Sequence, residues 1–202
     1  MFERVMFFID GENLVFRYQK MLEKGYEPLN AGIHKKDVYV WHSDIIRNIP
    51  RDIVRVTCYT SAVGDEAKIL SICEDIKKIE YHYKSTSYGV GGGRYSGGSR
   101  SEQYKGNIFP RVFKKDNRSA KSKAVDINIA VDMLNYASLE NLDAVYLLSC
   151  DGDFIPLIQA VMRKGMRVHL MALSDGLNPL LPTAVDEFEC IDDRLFAEIN
   201  KK

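Results

Sequence analysis

The chain has 202 residues, 46% of them hydrophobic and 28% charged, the composition of a globular domain with one sizeable hydrophobic core. Its 28 basic and 28 acidic residues cancel to a formal net charge of zero, so no overall basic surplus argues for nucleic-acid binding. No apolar run approaches the roughly 20 residues of a membrane helix, no signal-peptide layout opens the chain, and the four cysteines are widely spaced without a C-x-x-C pair, which argues against a zinc knuckle or a disulfide framework. A cytoplasmic protein with no membrane partner and buried thiols is expected.

The first apolar run, Arg4–Ile9, reads as a buried strand. It ends at Asp10, in Ile9-Asp10-Gly11-Glu12-Asn13-Leu14. A turn at Gly11 would let Asp10 and Asn13 both face a strand-end crevice, and either would serve equally as an ordinary helix cap. His34–Ile49 has a helical pattern that stops before Pro50. Asp52–Tyr59 reads as a second buried strand. Asp65–Ile79 reads as an amphipathic helix with Ala67, Ile69, Leu70, Ile72, Cys73, Ile76 and Ile79 on a broad apolar face. Residues 84–106 carry seven glycines among serines, tyrosines and arginines and read as a flexible insertion within one domain spanning 1–202. Its Tyr88, Arg94, Tyr95, Arg100 and Tyr104 offer faces on which bases of single-stranded RNA stack, a plain insertion being the alternative.

Between Arg111 and Lys123 six basic residues, Lys114, Lys115 and Arg118 among them, face the single acid Asp116. Such a segment either guides a polyanion toward the residues that follow or is a solvated loop. A helix is expected over Val125–Tyr136, with Ile129, Ala130, Met133 and Ala137 on the stripe headed by Asp126. Stabilisation of the first helical turn competes with a site role for that carboxylate, and Asp132 should point away from the stripe. Asp143–Ser149 reads as a buried strand. It runs into Ser149-Cys150-Asp151-Gly152-Asp153-Phe154, where Gly152 permits a tight bend. Phe154–Lys164 reads as a helix closed by Gly165, and Met166–Met171 as a further strand. Beyond Ser174 acids outnumber bases.

Strands alternating with helices in this way predict an α/β fold with a mainly parallel sheet. Asp10, Asp126, Asp151 and Asp153 then gather where strands give way to helices, at the edge where open α/β sheets bind ligands. Carboxylates so gathered repel one another, and a cation relieves the repulsion. Oxygen donors without a nearby His or Cys point to Mg²⁺ or Mn²⁺ rather than zinc, since His34, His42, His82 and His169 show no ligand spacing. A small-molecule phosphohydrolase with a D-x-D motif is disfavoured, because a single aspartate follows the first strand.

At these residues the chain resembles the NYN family, a branch of the PIN-like nuclease fold that includes the LabA-type proteins. Phe8-Ile9-Asp10-Gly11-Glu12-Asn13 is similar to the family's I-D-G-x-N motif, Lys123-Ala124-Val125-Asp126 to its K-x-x-D helix start, and Ser149–Phe154 to its S-x-D-x-D-F motif. The resemblance implies a three-layer α/β/α sandwich and a divalent-metal ribonuclease hydrolysing RNA phosphodiester bonds. By similarity Asp10, Asp126 and Asp151 would hold Mg²⁺ or Mn²⁺ and Asp153 would complete the acidic cluster. Asn13 and Ser149 would support it, and Lys123 would contact a substrate phosphate. Cys150 stands where the family often has Gly or Asn, and the Gly-rich insertion is a second departure that bears on substrate choice. The alternative is an NYN-type module that binds RNA or a protein partner without cleaving. The apolar surfaces of the crossover helices would also suit a homo-oligomer.

Overall fold

A parallel strand covered on both faces needs apolar side chains at every position, and Val5, Met6, Phe7, Phe8 and Ile9 supply them, each at most 2% exposed. The computed structural model describes residues 3–47, 49–87, 100–117, 123–139 and 141–197. In chain order these form β1 (Arg4–Asp10), α1 (Gly11–Glu23), β2 (Ile33–Lys35), β3 (Tyr39–Trp41), β4 (Asp52–Ala62), α2 (Glu66–Lys77), β5 (Glu80–Ser87), β6 (Arg100–Asn107), β7 (Phe109–Lys114), α3 (Lys123–Tyr136), β8 (Ala144–Leu148), α4 (Ile155–Met162), β9 (Arg167–Ala172) and β10 (Glu187–Cys190). Six of the strands build the central sheet in the order β10-β9-β8-β1-β4-β7, every neighbouring pair parallel.

The pleat sends alternate side chains of β1 to opposite faces. Val5, Phe7 and Ile9 share a core with Leu14, Val15, Tyr18 and Met21 of α1 and with Ile72 and Ile76 of α2. Met6 and Phe8 share another with Val125, Ile129 and Met133 of α3 and with Leu157, Ile158 and Val161 of α4. Two helices on each face complete the three-layer α/β/α sandwich that the alternating pattern predicts. Among the described residues no helix is long and apolar enough to cross a membrane.

The helix expected over His34–Ile49 is not formed. That stretch holds β2 and β3, an antiparallel pair turned at Asp37, which takes a φ of +61°, and then a 3-10 turn at Ser43–Ile46. Consecutive β-branched and aromatic residues favour the extended chain, and Tyr39, Val40 and Trp41 are all buried. In α2, Asp65 is the cap and accepts from the backbone N–H of Lys68 at 2.9 Å. Ile72 and Ile76 are buried, but Ala67 and Leu70 face solvent, so the apolar face is narrower than the sequence suggests. Gly165, with φ +83°, closes the end of α4 as expected.

The described parts of residues 84–106 are strand rather than loop. They belong to β5 and β6, which pair antiparallel from Glu80↔Asn107 to Ser87↔Arg100; 88–99, with Tyr88, Arg94 and Tyr95, lie outside the described residues. Tyr81 lies across Gly106, where a Cβ would stand 2.5 Å from the tyrosine hydroxyl, and Tyr83 stacks on Tyr104 with ring centroids 5.4 Å apart. The Tyr83 hydroxyl donates to Oδ1 of Asp52 at 3.3 Å. Asp52 opens β4, so this hairpin is fastened at the edge of the sheet opposite Asp10. The front of the basic segment is likewise strand: β7 pairs with β4 from Thr57↔Phe109 to Ala62↔Lys114.

Candidate active site

Leaving β1 the chain builds outward through β4 and β7, then returns to lay β8 against the other side of β1. At such a reversal the connections leaving adjacent strands part in opposite directions and open a crevice at their carboxyl ends. Asp10, the last residue of β1, lies there and is only 1% exposed. Its Oδ1 accepts the backbone N–H of Asn13 at 3.1 Å, capping α1. Its Oδ2 accepts the hydroxyl of Ser149, just beyond β8, at 2.9 Å. The capping reading of Asp10 therefore holds.

The residues after β8 are fastened to the residues after β1. Ser149 Oγ accepts the backbone N–H of Asp151 at 3.1 Å, and Asn13 Oδ1 accepts the backbone N–H of Cys150 at 3.0 Å. Asn13 therefore spends its carbonyl on the β8 loop instead of presenting it to the crevice. Asp151 in turn caps the 3-10 turn at Gly152–Phe154, its Oδ1 accepting the N–H of Asp153 at 3.0 Å. Asp126, half-buried in the first turn of α3, is near enough for its charge to act on Asp10. Asp153 is exposed.

Burial pushes the Asp10 carboxyl up from 3.8 to about 7, against the pull of the Asn13 N–H and the Ser149 hydroxyl; the charges of Asp126 and Glu12 push it further the same way. Glu12 is the acid that sequence reading passed over. It accepts the Ser61 hydroxyl and stands 3.0 Å from Nζ of Lys115, the two side chains being 13% and 10% exposed. The only sequence signal for it is its place inside the D-G-x-N motif. Lys115 is thereby turned into the crevice toward an acid, while Lys114 and Lys123 are exposed and Arg118 lies outside the described residues. Asp132, expected to point away from the apolar stripe, instead accepts at 2.8 Å the hydroxyl of Tyr59, which shares a core with Val125, Ile129 and Met133. Among the described residues no three His, Cys, Asp or Glu side chains stand close enough together to hold a metal ion.

Lys115→Met removes the cation from a largely buried pair and leaves the acids of the crevice less compensated. It is expected to lower stability by about 1–3 kcal/mol at pH 7, with Lys115→Arg recovering most of that. Urea unfolding measures both, and equal midpoints for all three proteins would mean that the pair contributes nothing.

Gly11 has a packing role in addition to opening α1. A Cβ there would stand 2.8 Å from the Tyr59 carbonyl oxygen and 3.0 Å from Sγ of Cys58, so α1 can start this close to β4 only without a side chain. Burial pushes the thiols of Cys58 and Cys150 up to about 12. Both are protonated at neutral pH and unsuited to act as nucleophiles. Cys73 is half-buried and Cys190 exposed, so the expectation of buried thiols holds for two of the four.

The model of the NYN domain family matches residues 4–192. The crystal structure of a protein of unknown function from Vibrio parahaemolyticus aligns with a TM-score of 0.58 at 13% identity, over 97% of each chain, a likeness of fold. No curated protein matches.

Proposed function

The chain belongs to the NYN family, and from that premise we propose that it is a divalent-metal-dependent ribonuclease that hydrolyses RNA phosphodiester bonds at the carboxyl edge of β1 and β8. The observation that carries this reading is the buried Asp10, bonded to Ser149 across the strand reversal and facing Asp126 and Glu12. A lone buried carboxylate would be a liability in the core. One that is bonded on both oxygens and feels the charges of Asp126 and Glu12 suits a hard cation, which reverses the electrostatics that keep it protonated.

The donor set fits Mg²⁺ or Mn²⁺. All candidate ligands are oxygens, and Mg²⁺ is commonly held by one or two carboxylates with water and substrate phosphate completing its shell. A closed protein cage is not required. Asp10 and Asp126 would hold the ion, with Asp151 beside them and Asp153 at the exposed rim. When bound, such an ion lowers the pKa of water and offsets charge on the phosphoryl and leaving oxygens. Ser149 and the Asn13 N–H fix the rotamer of Asp10, so that its oxygens need no reorganisation as charge develops. Lys115 offsets part of the charge of Glu12, which still adds to the repulsion at Asp10. Lys123 and Lys114, exposed at the rim, are suited to draw in and hold phosphates.

The test is cleavage of a labelled single-stranded RNA by wild type and by Asp151→Asn in EDTA, Mg²⁺ and Mn²⁺. Wild type is expected to cleave only with metal, and the variant at least about a hundredfold more slowly. One observation favours a non-cleaving RNA- or protein-binding module instead, namely that no three acidic, His or Cys side chains converge among the described residues. That reading takes over if wild type is inert with both metals and several RNAs yet still binds RNA.

A further inference from the structure

Edge strands expose a face as well as a hydrogen-bonding edge, and on β7 that face carries an alternating pattern. Phe109, Arg111 and Phe113 lie on its α3 side at alternate positions, about 6.6 Å apart by strand geometry, opposite Thr57, Tyr59 and Ser61 of β4. Phe109 is 41% exposed, and the guanidinium of Arg55 lies over its ring, 5.1 Å from the centroid. Arg111 is held from behind. Its Nη2 donates to Asn128 Oδ1 at 3.0 Å and stands 3.3 Å from Asp132 Oδ2, an acid itself anchored by the Tyr59 hydroxyl, yet the arginine side chain remains 37% exposed. Phe113 packs on the core beneath α3. Exposed Lys114 follows, and then Lys115 with its ion pair to Glu12, next to Asp10.

This face is a strip of aromatic and cationic groups that leads up to the acidic edge. Arg55 and Arg111 give it positive charge, with Asp132 spent on positioning Arg111, whereas Lys114 falls on the opposite face of the strand. An aromatic ring with a guanidinium beside it accepts the face of any base. Bases inside a duplex are stacked on each other and cannot use it. Resting on the ribonuclease reading above, we infer that the β7–α3 strip is the track by which single-stranded RNA reaches the acidic edge, with a base stacked on Phe109 and a phosphate on Arg111.

The experiment is fluorescence anisotropy of a short labelled oligouridylate, held in EDTA so that binding is read without cleavage, with full-length wild type, Phe109→Ala, Phe109→Trp and Arg111→Gln. Wild type should bind the single strand more tightly than a duplex of the same length. Phe109→Ala should raise the Kd about tenfold and Phe109→Trp should not, both leaving duplex binding unchanged. Arg111→Gln should reduce the slope of log K against log salt by about 0.7. If Phe109→Ala and Arg111→Gln both bind as wild type does while wild type cleaves RNA with metal, the track lies elsewhere and only this inference falls. If wild type binds no RNA, both it and the ribonuclease reading fall. If Phe109→Ala instead converts a sedimenting dimer to monomer with RNA binding intact, the face belongs to a second copy of the chain and the inference is overturned.

Discussion

Asp10→Asn will lower metal-dependent RNA cleavage at least about a hundredfold and, in EDTA above neutral pH, will melt at a higher temperature than wild type. The two effects have one origin. The carboxyl of Asp10 is raised from 3.8 to about 7, so between those values the folded protein holds a proton that the unfolded chain has released. Stability falls with rising pH wherever the native state binds more protons. The penalty from Asp10 is therefore absent below about pH 4, grows up to about pH 7 and is complete above it. Asparagine keeps the shape and the acceptor for the Asn13 N–H but has no proton to lose. The gain is bounded at a few kcal/mol, or several degrees for a chain of this length. Melting both proteins in EDTA from pH 5 to pH 8 should show the gap widening with pH. A constant gap would detach the burial of this carboxylate from its cost, and undiminished cleavage by the variant would remove Asp10 from the site.

Gly11→Val is expected to lower stability by about 2–4 kcal/mol and, in protein that still folds, to reduce cleavage by roughly a hundredfold. A side chain at this position meets the Tyr59 carbonyl oxygen, Sγ of Cys58 and Cβ of Thr60 within 3.2 Å. Of these the carbonyl is backbone in the middle of β4 and cannot move alone, so the start of α1 must. Asp10 and Asn13 flank Gly11 and would be carried with it, breaking the bonds to Ser149 and to the Cys150 N–H. Urea unfolding and cleavage assays on Gly11→Ala and Gly11→Val should rank both losses by side-chain size. Wild-type values for both variants would show that α1 has slack against β4.

The parts of the architecture legible in the sequence are those whose residues answer to one demand. Val5–Ile9 and Ala144–Leu148 are apolar at every position because both faces are covered, and the order of runs and helices between them implies a parallel sheet. β7 escapes notice because its outer face is half-exposed and its alternation of Phe, Arg and Phe, followed at once by Lys114, reads as part of a basic segment. β10 is short and exposed along its whole length, so nothing apolar marks it. His34–Ile49 misleads because its spacing permits a helix, whereas the left-handed turn at Asp37 leaves no trace in hydrophobic periodicity. At the site, Asp10 and Ser149 are recognisable as motif residues, but their mutual bond is not, since it joins residues 139 apart in sequence. The pairing of Glu12 with Lys115 is not recognisable, since it joins a helix start to the end of a strand two positions across the sheet and neither residue constrains the other locally.

Asn13 and Cys150 are 137 residues apart in sequence, and Asp10 and Ser149 are 139 apart. Chains fold from the amino end as they are synthesised. A ribosome-bound chain that stops short of β8 has already made Asp10 and Asn13 but has nothing to fasten them to. The acidic edge is completed only when Ser149 and Cys150 have emerged and β8 has docked beside β1. Under the ribonuclease reading proposed above, this topology keeps the cutting site incomplete until the sheet closes.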